Sequence, residues 1–272
     1  MLAAVYAGRD ELNLEDGSFE LSKKASPQLL ENISTGEKAD VRAYYIGKGY
    51  PQEQVDKVID ESLDEGDFFP VPVKTYEHFY RDVPEDFDND GEEDASIRVF
   101  KSDSEVDMAS FNEGRAPKND HEIAIDRMHA DNVGIKLGDT ITLGGKEFEV
   151  VGLLSYVNYL TLHESNTDLM FDAFGFDVGM VTSEGFAKLT SRIHYSYAFK
   201  YVTEPQSKIK KADFSENFLK ALVTQSLVGE NEIEDYLPEY LRQASNFAVS
   251  DIEGDSAGTS ILCYILIGVC SN

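Results

Sequence analysis

Glu122-Ile-Ala-Ile125, Asp126, Gly134, Gly138-Asp139, Thr140-Ile-Thr-Leu143, Gly144-Gly145 and the run from Lys146 to Leu154 follow one another along the chain. They read as strand, cap, stop, turn, strand, hairpin turn and strand. The Asp126 carboxylate can accept from the backbone N–H groups of a helix that starts beside it, and Gly134 can end that helix in a left-handed conformation. Gly144 and Gly145 both tolerate positive φ, as a two-residue hairpin between right-twisted strands requires. This order of signals predicts a β-rich unit with one short helix embedded in it.

The flanks add helices and further strands. Ser26-Pro27 reads as the cap and first residue of a helix to about Asn32, and Ala39–Ile46 as a strand. Pro51–Leu63 sets Val55, Val58, Ile59 and Leu63 on one face with acids opposite, an amphipathic helix ended by Gly66. Phe68–Lys74 carries two prolines and is expected at a sheet edge, and Ser96–Lys101 is a further strand. Downstream, Ser183 is expected to cap a helix to Leu189. Ile193, Tyr195, Tyr197, Phe199 and Tyr201 then alternate with His194, Ser196, Ala198 and Lys200, so one face of this strand is buried. Phe214, Phe218, Leu219, Leu222 and Val223 mark another amphipathic helix. The fold class is α+β.

Composition narrows the function. The 272 residues, 42% of them hydrophobic, suffice for a buried core. Lys and Arg total 24 against 51 Asp and Glu, a formal net charge of −27. Such a surface repels phosphate backbones, which excludes nucleic acid as a partner. Both cysteines, Cys263 and Cys270, lie in one apolar run near the C-terminus, so no disulfide framework staples the body of the chain. Met1–Asp10 has no basic n-region and is too short for a signal peptide or a span. Ile261–Cys270 is uncharged, but a membrane-crossing helix needs about 20 apolar residues. It reads either as a buried C-terminal element or as the start of a truncated transmembrane helix.

Candidate chemistry is sparse. Asp86, Asp88, Asp90 and Asp94 sit in a run in which eight of the thirteen residues from Asp82 to Asp94 are acidic. The spacing matches the first half of a calcium loop, yet Ile97 stands where the bidentate acid of an EF-hand belongs. The run is expected to form an acidic hairpin turn at Asn89-Asp90-Gly91, where any calcium is held weakly. Gly254-Asp-Ser256-Ala-Gly258 spells the G-x-S-x-G elbow of a hydrolase, but no histidine follows His194 to complete a triad. His78, His121, His129, His163 and His194 show no H-E-x-x-H spacing, so the sequence carries no zinc signature. No phosphate-binding loop is present: Gly145-Lys146 is followed by Glu147. The expectation is a protein that is not an enzyme, with no catalytic residues and no cofactor of its own.

Glu113-Gly-Arg-Ala-Pro117, Asn119-Asp-His-Glu-Ile-Ala-Ile125, Val133-Gly-Ile-Lys-Leu-Gly-Asp-Thr-Ile141 and Phe148-Glu-Val-Val-Gly152 together resemble the extracytoplasmic core domain of FtsX/MacB-like ABC transporter permeases. The resemblance implies a domain outside the cell membrane, looped between two transmembrane helices. It implies a membrane-near α/β lobe from residues 1–104 and 190–254, an inserted β-rich lobe at 105–189, and the start of a transmembrane helix at 255–272. Its partners by this resemblance are a cytoplasmic ATPase subunit, which holds the ATP, and a second permease in a homodimer or heterodimer. The substrate is a lipid, peptide or drug. Asp251, Gly254, Asp255 and Gly258 would couple helix motion to the domain, serving export, release or signalling. The alternative is a free-standing extracellular binding or adhesion module with weak calcium binding at its acidic loop; a hydrolase using Ser256 is the third reading.

Overall fold

The structure is a computed structural model that describes residues 11–37, 40–62, 69–159, 174–207, 210–222 except 212, 216 and 220, and 238–243. Its strands are β1 (Gly17–Leu21), β2 (Val73–Glu77), β3 (Tyr80–Asp86), β4 (Ala95–Lys101), β5 (Ser110–Gly114), β6 (Glu122–Asp126), β7 (Thr140–Leu143), β8 (Lys146–Ser155), β9 (Phe176–Val181), β10 (Tyr195–Tyr201) and β11 (Pro238–Gln243). The helices are α1 (Pro27–Thr35), α2 (Val41–Gly47), α3 (Gln52–Ser62), α4 (Arg127–Val133) and α5 (Ser183–Lys188), and the described residues between 210 and 222 are also helical. The α+β class is as expected. The chain divides into two units, one of Glu15–Phe79 with Ile193–Gln243, the other centred on Tyr80–Arg192. The expected lobe boundary at 104/105 therefore falls inside the second unit. The reason is pairing: β3 and β4 belong to the same sheet as the strands that follow them.

In the first unit the sheet order is β11-β1-β10-β2, antiparallel throughout. Register places Phe19 opposite Tyr197, and their rings stack at 5.2 Å. Phe218 meets Phe19 edge-on at 5.7 Å and lies 5.1 Å from Phe214, so the helical segment at 210–222 covers this face together with Leu29 and Ile33 of α1. Burying each such ring contributes about 2–3 kcal/mol. The Tyr197 hydroxyl, carried into the core by its ring, accepts from Ala25 N–H at 2.8 Å. Leu219, expected on the apolar face, is 41% exposed instead; Ala221 takes the buried position. Ser26 caps α1 as expected, and Pro27 is its first residue.

Two further expectations in this unit shift. Residues 41–47 form a helix where a strand was expected over Ala39–Ile46. Asp40 accepts from Ala43 N–H at 2.8 Å, and this N-cap, with the Arg42–Asp56 ion pair to α3, outweighs the β propensity of Val41 and Ile46. The edge strand begins at Val73, after Pro70 and Pro72, because a proline has no N–H to donate; β2 does lie at the sheet's edge. Gly66, expected to end the helix from Pro51, and Val223, expected on the apolar face of the later helix, lie outside the described residues.

In the second unit the sheet order is β5-β8-β6-β9-β4-β3-β7, and β7 also pairs with β8. The first part of β8 faces β7 and its last part faces β5, so the strands from β8 round to β7 close into a barrel with β5 as an outer extension. Val83, Ile97 and Asp177 are register partners, as are Glu85 and Leu143, and Ile141 and Phe148. Register partners share a face, so these side chains form one inner layer in which Glu85, Ile97, Ile141, Leu143 and Asp177 are 0% exposed. The outer face carries a second cluster of Phe100, Tyr156, Phe176, Val178 and Met180. Beside it Arg98 makes a two-pronged contact to Asp82, both bonds 2.8 Å, with its guanidinium over the Tyr80 ring. Asp126 and Gly134 end α4 as expected, and Gly144 and Gly145 take φ of 52° and 76° in the hairpin. The cap of α5 is Thr182, whose hydroxyl accepts from Gly185 N–H, while Ser183 donates to Asp103.

Candidate functional site

The motif stretch folds as a clamp within the barrel unit. Glu122, at the start of β6, accepts from Arg115 at 2.7 and 2.9 Å, from Lys118 N–H at 2.7 Å and from Asn119 at 2.9 Å. The Arg115 guanidinium and then the Lys118 N–H hold the Glu122 carboxyl far below the usual carboxylate range. Gly114, at φ +71°, lies against β8 so closely that a Cβ there would stand 2.3 Å from the Val151 oxygen, and one on Gly152 would stand 2.3 Å from the Arg115 oxygen. Asp139 accepts from Lys136 N–H and closes the turn at Gly138. The residues that carry the resemblance thus serve the backbone geometry of β5, β6 and β8. None of these contacts forms a reaction centre.

The acidic loop holds itself by its own carboxylates. Asp86, Asp88 and Asp90 accept from the N–H groups of Gly91, Asp90 and Glu92, and Asp94 accepts from Phe87 N–H. Asn89 and Gly91 have φ of 60° and 94°, the turn expected there. Asn89 also reaches across to β7, donating to the Thr140 oxygen and accepting from the Thr142 hydroxyl. Carboxylate oxygens of Asp86, Asp88 and Asp94 lie within 4.8 Å of one another, whereas Asp90 is not part of that group. Of the four expected ligands, three converge.

A second trio was missed by the sequence reading. Glu85 on β3, His129 on α4 and Asp177 on β9 are each 0% exposed, and one ligating atom from each lies within 4.8 Å of the others. His129 Nε2 is 3.3 Å from Glu85 Oε2, and the His129 ring packs against Phe87. Asp177 Oδ1 accepts from the N–H groups of Asp126 and Val178. Burial pushes Asp177 well above the usual carboxylate range against the pull of His129, and the Glu85 and Asp126 carboxylates add to the rise. No spacing signal could have found this set, since its members come from three elements far apart in the chain. The one clue was a pair of acids, Glu85 and Asp177, at positions where strand alternation calls for apolar residues.

The expected coupling residues Asp251, Gly254, Asp255 and Gly258, the elbow serine Ser256 and the run Ile261–Cys270 lie outside the described residues. Among the described residues, no helix is long and apolar enough to cross a membrane.

No protein-family model matches this sequence, and no curated protein does. Among solved structures, the extracellular domain of the noncanonic ABC-type transporter YknZ from Gram-positive bacteria is 11% identical, with a TM-score of 0.35 over 82% of this chain and 100% of that one. The periplasmic region of MacB from Actinobacillus actinomycetemcomitans is 11% identical at a TM-score of 0.37, over 89% of this chain and 94% of that one. A domain of a permease protein from Porphyromonas gingivalis is 13% identical at 0.34, over 70% and 82%. The first of these neighbours is named as an extracellular domain of an ABC-type transporter, the second as a periplasmic region and the third as part of a permease.

Proposed function

We propose that this chain is the extracytoplasmic domain of an FtsX/MacB-like ABC transporter permease. In that role it couples ATP-driven motion of membrane helices to export, release or signalling outside the membrane. The observation that carries the reading is the clamp: Gly114, Arg115, Glu122, Gly138, Asp139 and Gly152, which bear the sequence resemblance, each perform a defined structural task in one barrel. Such a domain acts by position and shape. The cytoplasmic ATPase subunit hydrolyses ATP, the permease pairs with a second copy or a homologue, and the moved substrate is a lipid, peptide or drug. Asp251, Gly254, Asp255 and Gly258 form the coupling segment between the domain and a membrane helix that begins in the run Ile261–Cys270.

A flexible Gly-Ser insertion between Gly254 and Asp255 tests this in the assembled transporter. The expected outcome is ATP hydrolysis that continues while transport or signalling is lost, with the melting temperature of the domain nearly unchanged, because a slack linker transmits neither force nor orientation. Full coupled activity after several inserted residues would overturn the mechanical role. It would favour the alternative of an extracellular binding module, for which the convergence of Asp86, Asp88 and Asp94 is the supporting observation.

A further inference from the structure

We propose that Glu85, His129 and Asp177 form a structural site for a divalent first-row transition ion such as Zn2+, tying α4 to β3 and β9 inside the barrel. All three side chains are 0% exposed, and their ligating atoms lie within 4.8 Å of one another. Glu85 Oε1 and Asp177 Oδ2 accept no hydrogen bond. In a protein interior such acceptors are costly to leave unfilled. The partner of Asp177 Oδ2 is not in the backbone: Oδ1 takes the N–H groups of both Asp126 and Val178, which fixes the carboxylate and leaves Oδ2 as its unfilled atom. Asp126 is itself occupied in capping α4 through the N–H groups of Met128 and His129.

Charge and donor type identify the ligand class. Two carboxylates and a neutral imidazole balance one divalent cation, and a single ion takes a lone pair from all three groups at once. A proton shared in the same space neutralises charge but bridges only two atoms. An imidazole among the donors suits Zn2+ or Co2+ better than Ca2+ or Mg2+, which prefer all-oxygen sets such as the surface loop offers. Full burial marks a closed, structural site whose binding energy is folding energy. In a chain whose two cysteines both lie near the C-terminus, this is the cross-link the barrel unit can use. The inference stands on this unit alone and does not depend on the transport reading.

The test uses the full chain, denatured and refolded with EDTA, with ZnCl2 alone or with CoCl2 alone, then desalted. The expected result is about one retained equivalent of metal, a melting temperature at least about 5 °C above the EDTA-treated protein, and visible absorption bands from bound Co2+. Glu85→Gln and Asp177→Asn should each lower metal retention at least about tenfold, while Asp88→Asn and Asp94→Asn should leave it unchanged. Retention below about 0.1 equivalent, with identical melting temperatures and no Co2+ bands, overturns the proposal and assigns the trio to proton sharing. Should the Glu85 variant fail to fold, the stoichiometry and Co2+ spectrum of the unaltered chain decide the question.

Discussion

Glu85 and Glu122 are both buried glutamates of the same barrel, and their surroundings are opposite. Glu122 accepts from Arg115, Lys118 N–H and Asn119, so the chain itself supplies its donors. Glu85 accepts no hydrogen bond and faces another buried acid, Asp177, across His129. The difference separates two uses of a buried charge. A carboxylate with its donors built in holds a turn in place, whereas Glu85 has only the His129 imidazole, 3.3 Å away, to face and no hydrogen-bond donor.

The sharpest way to break this contrast is to truncate each glutamate in turn. Glu122→Ala removes the common acceptor of Arg115, Lys118 N–H and Asn119 and should lower stability by about 1–2 kcal/mol, since the exposed donors can turn to water. Thermal denaturation should show this as a fall in melting temperature of roughly 2–8 °C. In metal-free protein Glu85→Gln should cost less than Glu122→Ala, because it removes a like-charge neighbour of Asp177 and keeps an oxygen to face His129 Nε2, 3.3 Å away in the unaltered protein. Equal losses from the two substitutions would erase the distinction.

Acid titration sharpens the contrast from the other side. Glu122 has a native pKa below its ordinary value of 4.5, so the unfolded chain binds more protons than the folded one as the pH drops. The contribution of the clamp is complete above the unfolded pKa and is lost as pH falls from there through the depressed native value. Denaturant midpoints measured across this window should therefore fall more steeply for the unaltered protein than for Glu122→Gln.

The smallest effect belongs to the surface loop. Asp88→Asn keeps the oxygen that accepts from Asp90 N–H and should change stability by no more than about 0.5 kcal/mol. Calcium should raise the melting temperature of the unaltered protein by only about 1–2 °C beyond matched ionic strength, and Asp94→Asn should abolish that rise. Sub-micromolar saturable binding in a calorimeter would contradict this and move the loop into the class of built sites.

How much of this was legible in the sequence depends on the range of the forces involved. Asp126, Gly134 and the Gly144-Gly145 pair act within a few residues of themselves, and their roles follow from local backbone chemistry. The cap of α5 was displaced by one residue, because Thr182 and Ser183 have equivalent hydroxyls and only the surrounding strand decides which one turns inward. The helix at Val41–Gly47 was hidden because its cap, Asp40, and its ion pair to Asp56 outweigh the propensity of the residues themselves. Barrel closure and the Glu85, His129, Asp177 trio depend on strand order, which no local pattern encodes. The arginine and glutamate of the clamp were visible as members of a motif, yet their bond to each other was not.

The closure between β3 and β7 rests on a short seam. Only Glu85↔Leu143 and Asp86↔Thr142 are paired there, and the joint is completed by Gly144 N–H donating to the Pro84 oxygen and by the two bonds of Asn89. A cylinder with one thin seam breathes along that line before it opens elsewhere. Glu85 points inward at this seam and Asp86 is its neighbour on the other side, so the acidic loop acts as the barrel's latch. The side chain that spans this joint is therefore Asn89 and not the carboxylates around it, so the loop's charge can vary while the seam stays closed.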